Sequence, residues 1–254
     1  MLVLCAIFLT LAVGCTRTTE PSPLRVFAAA STSEAVSEVV ASFEAQEAVT
    51  TQVSFAGTST LGRQILSGAK ADVFLSANVA WVHALETHGL VGKQQPNYVT
   101  NVLAVVTRAE GDRWVPRRLE DLQDRRLSRI AIAEPESVPA GVYARRAMEG
   151  AGVWREVAPK CVYSTNVRHV LGQVETGAAD AGVVYRTDAA VSEKVTMAFE
   201  IPGHLTGTIG YGLVLTREGV NDPVALRFFD AMNSSAGRQA FLRRGFSSTL
   251  GVGN

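Results

Sequence analysis

Two short segments place a hydroxyl residue where a strand gives way to a helix, and the chemistry they offer is anion capture without a charged side chain. In the first, Val26-Phe27-Ala28-Ala29-Ala30 leads into Ser31-Thr32-Ser33-Glu34; in the second, Val53-Ser54-Phe55-Ala56-Gly57 leads into Thr58-Ser59-Thr60-Leu61. Two later turns, Val138-Pro139-Ala140-Gly141 and Asn166-Val167-Arg168, also open helical stretches. The first turn of a helix carries unpaired backbone N–H groups and the positive end of the macrodipole, so several such turns converging hold a small anion without Lys or Arg. That points to a carrier rather than a catalyst.

Each residue also has a plainer role. Ser31 and Glu34 have the spacing of a capping box, in which hydroxyl and carboxylate satisfy helix-start N–H groups reciprocally. Thr58 repeats the hydroxyl, and Gly57 before it lets a ligand approach the backbone closely. Ala140 and Val167 offer only a backbone N–H; Pro139 suits the first helical position and Asn166 is a good cap. Tyr185 follows the apolar run Ala181-Gly182-Val183-Val184. Its phenol then sits either at a core margin or at the carboxyl end of a strand, where ligands of open α/β sheets bind.

Composition narrows the classes. The 254 residues are enough for two lobes, and 24 Lys plus Arg balance 24 Asp plus Glu, so no basic field exists to attract nucleic acid. Residues 1–14 carry no charge and read as a signal peptide, too short to remain as a membrane span. Small residues before Cys15 are similar to the lipobox of bacterial lipoproteins, which makes Cys15 the candidate for lipidation and residues 16–23 a tether. With Cys5 and Cys15 in that region, Cys161 is the remaining thiol and is expected to be a small buried residue. His83 and His88 are five positions apart, which is wrong for paired ligands on one helix face. No Gly-x-Ser-x-Gly run occurs, and residues 57–63 lack the Lys of a phosphate-binding loop, so an enzyme is not expected.

Along the rest of the chain, short apolar runs alternate with amphipathic segments, as in an α/β fold with mostly parallel sheets. The pattern predicts strands at 24–28, 52–55, 73–76, 102–107, 129–133, 181–184 and 212–216, and helices at 34–44, 61–67, 79–88, 142–150, 168–175 and 223–233. Gly68, Gly89 and Gly177 stand where helices should stop. A loop at 94–101 followed by an apolar strand suggests a chain crossing, with the return near 211–216. One lobe would then hold residues 24–101 plus 213–254 and the other 102–212, with a ligand cleft between them.

The segments Val26-Phe27-Ala28-Ala29-Ala30-Ser31, Phe55-Ala56-Gly57-Thr58-Ser59-Thr60-Leu61, Ala71-Asp72-Val73-Phe74-Leu75-Ser76, Val138-Pro139-Ala140-Gly141 and Gly182-Val183-Val184-Tyr185 resemble the periplasmic molybdate-binding proteins of ABC transporters, in order and spacing over about residues 24–246. The resemblance implies a two-lobe periplasmic-binding-protein fold of type II, each lobe a mixed, mostly parallel sheet joined by a two-strand hinge. It implies molybdate or tungstate as ligand, with Ser31, Thr58 and Tyr185 giving hydroxyls and Ala140 and Val167 giving backbone N–H groups. It further implies no cofactor, a membrane permease as partner, a periplasmic or lipid-anchored location and a monomer. Asn166 replaces the family's Asp, and Tyr211-Gly212 stands where the family has Tyr-Pro. Both ions are fully deprotonated near neutral pH and only accept hydrogen bonds, which suits a ring of donors. A sulfate-binding protein, or one for another anionic solute, is the alternative in the same fold.

Overall fold

A computed structural model describes residues 22–111 and 114–248. The expected signal peptide, Cys15 and all of the tether but Ser22 and Pro23 lie outside the described residues. In chain order the strands are β1 (Leu24–Ala29), β2 (Thr51–Ala56), β3 (Val73–Ser76), β4 (Val91–Asn101), β5 (Leu103–Arg108), β6 (Ile130–Ala133), β7 (Cys161–Ser164), β8 (Ala181–Tyr185), β9 (Val195–Glu200) and β10 (Ile209–Thr216). The helices are α1 (Ser33–Glu47), α2 (Thr58–Leu66), α3 (Val79–Thr87), α4 (Pro139–Gly150), α5 (Trp154–Val157), α6 (Val167–Glu175), α7 (Arg186–Ala189), α8 (Gly203–Thr206), α9 (Pro223–Asn233) and α10 (Ser235–Leu242).

The strands form two five-stranded sheets, β2-β1-β3-β10-β4 in the first lobe and β7-β6-β8-β5-β9 in the second. Each sheet has two parallel and two antiparallel pairings, so the sheets are evenly mixed rather than mostly parallel. The antiparallel pairs all involve β5 or β10, the strands next to the two chain crossings. β4 ends at Asn101, β5 begins the second sheet at Leu103, and the returning β10 pairs Ile209 with Asn101.

Packing follows the strand period of two. In β3, Val73 and Leu75 join one core with α1, α9 and α10, while Phe74 joins Leu61, Ile65, Val82 and Leu85 of α2 and α3 on the opposite face. Each such buried side chain contributes about 1.5–3 kcal/mol. Helices therefore cover both faces of the first sheet, and their N-termini lie near the ends of the strands that precede them.

Strands β4, β7 and β9 have no counterpart in the apolar pattern of the sequence. All three are sheet edges, half exposed along their length, and so lack an unbroken apolar run. The expected loop at 94–101 is the end of β4, where Pro96 is tolerated because an edge strand has one unpaired side. Helices α5, α7 and α8 are four residues each, below the length at which periodicity shows. The last helix, α10, starts at a Ser-Ser-Ala-Gly stretch that reads as loop; Ser234 caps it by accepting from Gly237 N–H. Helices α2 and α4 start three residues earlier than their apolar spacing indicates, at Thr58 and Pro139. Gly68, Gly89 and Gly177 do take left-handed φ values of 92°, 67° and 73°. Cys161 is only half buried, because β7 is an edge; burial still pushes its thiol up to about 11, and Sγ lies 3.4 Å from the Val157 carbonyl.

An ion pair anchors the first sheet. Asp72, buried ahead of β3, accepts from Arg25 backbone N–H at 2.7 Å and from its guanidinium at 3.1 and 2.7 Å. Asp72→Ala takes the acceptor from the Arg25 backbone N–H and leaves its guanidinium only Glu218, 3.7 Å away, and is expected to lower unfolding stability by about 2–3 kcal/mol in urea titration.

Candidate functional site

Ser31, Thr58, Ala140, Val167 and Tyr185 are all buried, and all line one small interlobe pocket. The structure thus brings together every ligand residue expected from the sequence. Among the described residues, no charged side chain lines the cavity.

On the first lobe, Ser31 sits in a single 3-10 turn (Ala30–Thr32) between β1 and α1. The expected capping box is absent: no side chain caps α1, because the two members of the box are engaged elsewhere. Ser31 Oγ lies 2.9 Å from the Tyr211 hydroxyl, and the Glu34 carboxylate turns to Arg168. Thr58 is the first residue of α2, and its Oγ1 accepts from Ala77 N–H at 3.0 Å, which leaves its proton free to point elsewhere.

On the second lobe, Gly141 seats the start of α4 against the end of β6. A Cβ there would lie 2.2 Å from the Ala133 carbonyl oxygen, so only Gly brings the Ala140 N–H this close to the strand end. At α6, Asn166 Oδ1 accepts from Arg168 and His169 N–H at 2.9 and 3.0 Å, capping the two N–H groups after that of Val167. Tyr185 closes β8, its ring edge to face with Tyr211 at 5.8 Å. Its buried hydroxyl has no hydrogen-bond partner of good geometry. Burial, with smaller pushes from Tyr211 and other neighbours, holds this phenol well above its ordinary pKa, so it remains a donor at neutral pH.

Charges gather beside the cavity. Arg168 of the second lobe forms a two-pronged contact with Glu34 of the first, at 2.8 and 2.6 Å. Its Nε lies 2.6 Å from the buried Asp188 Oδ1, an ion pair whose N–H is not well directed along the contact. Burial pushes the Asp188 carboxyl up to about 6, against the pull of Arg168 and of the Tyr185 N–H that it accepts. Burial also acts to raise Glu34, but the hydrogen bond and charge of Arg168 outweigh it and hold that carboxyl below its usual range. The sequence carried no local signal for this triad, since Glu34 and Arg168 are 134 positions apart. His83 and His88 are exposed on and after α3, bonded to Glu86 and to the Ala84 carbonyl. Among the described residues, no group of three or more His, Cys, Asp or Glu could hold a metal ion.

The sequence profile of the bacterial extracellular solute-binding proteins matches residues 24–247. The chain belongs to that family. It is 30% identical to the molybdate-binding protein ModA of Escherichia coli over 94% of each chain, and 33% identical to ModA of Mycobacterium tuberculosis over 87% of this chain and 83% of the relative. Among solved structures, the periplasmic molybdate-binding protein of Azotobacter vinelandii superposes with a TM-score of 0.78 at 21% identity, covering 88% of this chain and 98% of that one. The sulfate-binding protein SubI of Mycobacterium tuberculosis gives 0.74 at 16% identity, covering 91% and 88%. At those identities the structural matches establish the two-lobe fold. The solute-binding protein described here is accordingly extracytoplasmic and has binding proteins, not enzymes, as its relatives.

Two contacts beside the cavity bridge the lobes of this solute-binding protein. Besides the Glu34–Arg168 pair, Gly57 approaches Thr165 so closely that a Cβ would lie 2.5 Å from its carbonyl oxygen. Gly57→Ala is expected to prop the lobes apart, seen as an increased radius of gyration in small-angle scattering with unchanged circular dichroism. Glu34→Gln removes the charge from the other contact, and its expected effect is to weaken closure by about 1 kcal/mol, with the same scattering signature at smaller amplitude.

Proposed function

We propose that this protein captures molybdate, or tungstate, outside the cytoplasm and delivers it to an ABC transporter permease. The observation that carries the reading is a pocket lined from both lobes by hydroxyl residues and helix starts, with no charged side chain among them. Ser31 and Thr58 give hydroxyl protons from the first lobe, and Ala140, Val167 and Tyr185 give N–H and O–H protons from the second. Charge-assisted hydrogen bonds of this kind contribute about 1.5–3 kcal/mol each, so five of them offset desolvation and ordering and leave submicromolar affinity. The names of the ModA relatives support the same ligand.

In this reading the oxyanion is cargo and not a cofactor, and it bridges the lobes so that binding and closure are one event. The expected lobe divisions are 101/102 and near 212/213; the end of β4 at Asn101 supports the first, while β10, which starts at Ile209 and lies whole in the first sheet, favours a second division a few residues earlier. The protein acts as a monomer, tethered through Cys15 and residues 16–23. Rigidity of the donor shell selects against sulfate, whose shorter bonds to oxygen keep it from reaching both lobes at once.

Thermal shift with molybdate, tungstate, sulfate and phosphate tests the assignment, because a ligand that binds only the native state raises the melting temperature. Molybdate and tungstate are expected to raise it at micromolar concentration. A larger shift with sulfate would replace the reading by that of a sulfate carrier. Tyr185→Phe is expected to lose about 1–2 kcal/mol of molybdate affinity by calorimetry while its ligand-free melting temperature stays within a few degrees.

A further inference from the structure

We propose that Asn101 and Tyr211 are positioning residues that point the Ser31 proton at the bound ion, so that the site selects oxyanions carrying no proton of their own. The inference rests on the oxyanion reading above and adds the means of selection.

The directions at the Asn101 end follow from a group that can only donate. Val102 backbone N–H donates to Asn101 Oδ1 at 2.9 Å, which fixes the amide so that its NH2 faces the other way. That NH2 donates to Thr187 Oγ1 at 2.8 Å and reaches the Tyr211 hydroxyl at 3.5 Å, a long contact whose polarity nevertheless has one sense. Ser31 Oγ lies 2.9 Å from Tyr211 Oη, a contact in which either oxygen can donate; the proposed relay assigns the proton to Tyr211, whose oxygen already faces the Asn101 NH2. Ser31 Oγ then accepts from Tyr211 and turns its own proton to the cavity. Tyr211 is fully buried, and burial raises its phenol far above the ordinary range, so the relay does not lose its proton. Thr58 is set the same way by Ala77 N–H.

Both first-lobe hydroxyls therefore reach the ion as donors with their oxygens already serving as acceptors. Hydrogen phosphate carries one proton near neutral pH, and that proton meets donors there. Molybdate has none. Selection by proton content thus comes from two hinge-strand residues that do not line the cavity.

The test is calorimetry on the full chain with molybdate, and the concentration of inorganic phosphate that displaces it, for the wild type, Tyr211→Phe, Ser31→Ala and the double variant. Phe keeps the ring contacts of Tyr211 with Tyr185 and Phe246, at 5.8 and 5.3 Å, so the fold is retained. Tyr211→Phe is expected to weaken molybdate roughly three- to tenfold while phosphate displaces it more readily, because Ser31 is then free to accept. In the Ser31→Ala background the same change is expected to have no further effect on molybdate. Asn101→Asp serves as the second variant. It replaces the NH2 by an acceptor and reverses the relay; its added charge repels both dianions alike, so the ratio of the two affinities still reports proton direction. Additive losses in the double variant, or a molybdate-to-phosphate ratio that stays at the wild-type value in both Tyr211→Phe and Asn101→Asp, would overturn the relay alone. A wild-type protein that does not bind molybdate would overturn the oxyanion reading and the relay with it.

Discussion

An ion that only accepts hydrogen bonds requires a cavity in which every polar atom facing it donates, and a protein has few places where donors lie unpaired. Helix starts are the main one, since the first turn has no intrahelical acceptor for its N–H groups. Here the turn before α1 and the starts of α2, α4 and α6 open on one cavity, two from each lobe. Their dipoles sum to a positive potential fixed by the backbone, which needs no reorganisation when the ion arrives and does not titrate. The sheets matter because they aim these helices: a strand end that turns at once into a helix delivers the helix start to the edge of the cleft.

The same logic explains where the charged residues stand. Arg168 follows Val167 directly and could have supplied a cation to the ion. Its guanidinium is instead engaged by Glu34 and Asp188, with two carboxylates against one positive charge. A guanidinium held between two carboxylates is poorly placed to bind an exchangeable anion. The pair spans the lobes, so the charge bridges them beside a cavity whose own lining is uncharged.

The cavity was legible in the sequence because its members are local signatures: Ser31, Thr58, Ala140 and Val167 each sit in a turn where the strand pattern changes to helix, and Tyr185 follows an apolar run. What lay beyond the sequence was the set of partners those residues use. Ser31 and Glu34 look like a capping box by spacing, yet their partners are Tyr211 and Arg168, 180 and 134 positions away. Local geometry offered one way to satisfy both side chains and tertiary contacts offered another that also bridges the lobes. The fold shows a parallel division. Buried central strands announce themselves by continuous apolar residues, whereas β4, β7 and β9 are edges with mixed exposure, and their pairing is decided by neighbours far along the chain.

Placing the relay in the hinge has a mechanical consequence. Asn101 is the last residue of β4 before the chain crosses to β5, and Tyr211 lies two residues into the returning β10, whose Ile209 pairs with Asn101. Asn101 also holds Thr187 of the second lobe at 2.8 Å. The amide that reaches Tyr211 thus also contacts the second lobe, so the proposed relay to Ser31 and the junction of the lobes share one set of atoms. A Ser capped locally by its own helix would have had no such link to the other lobe.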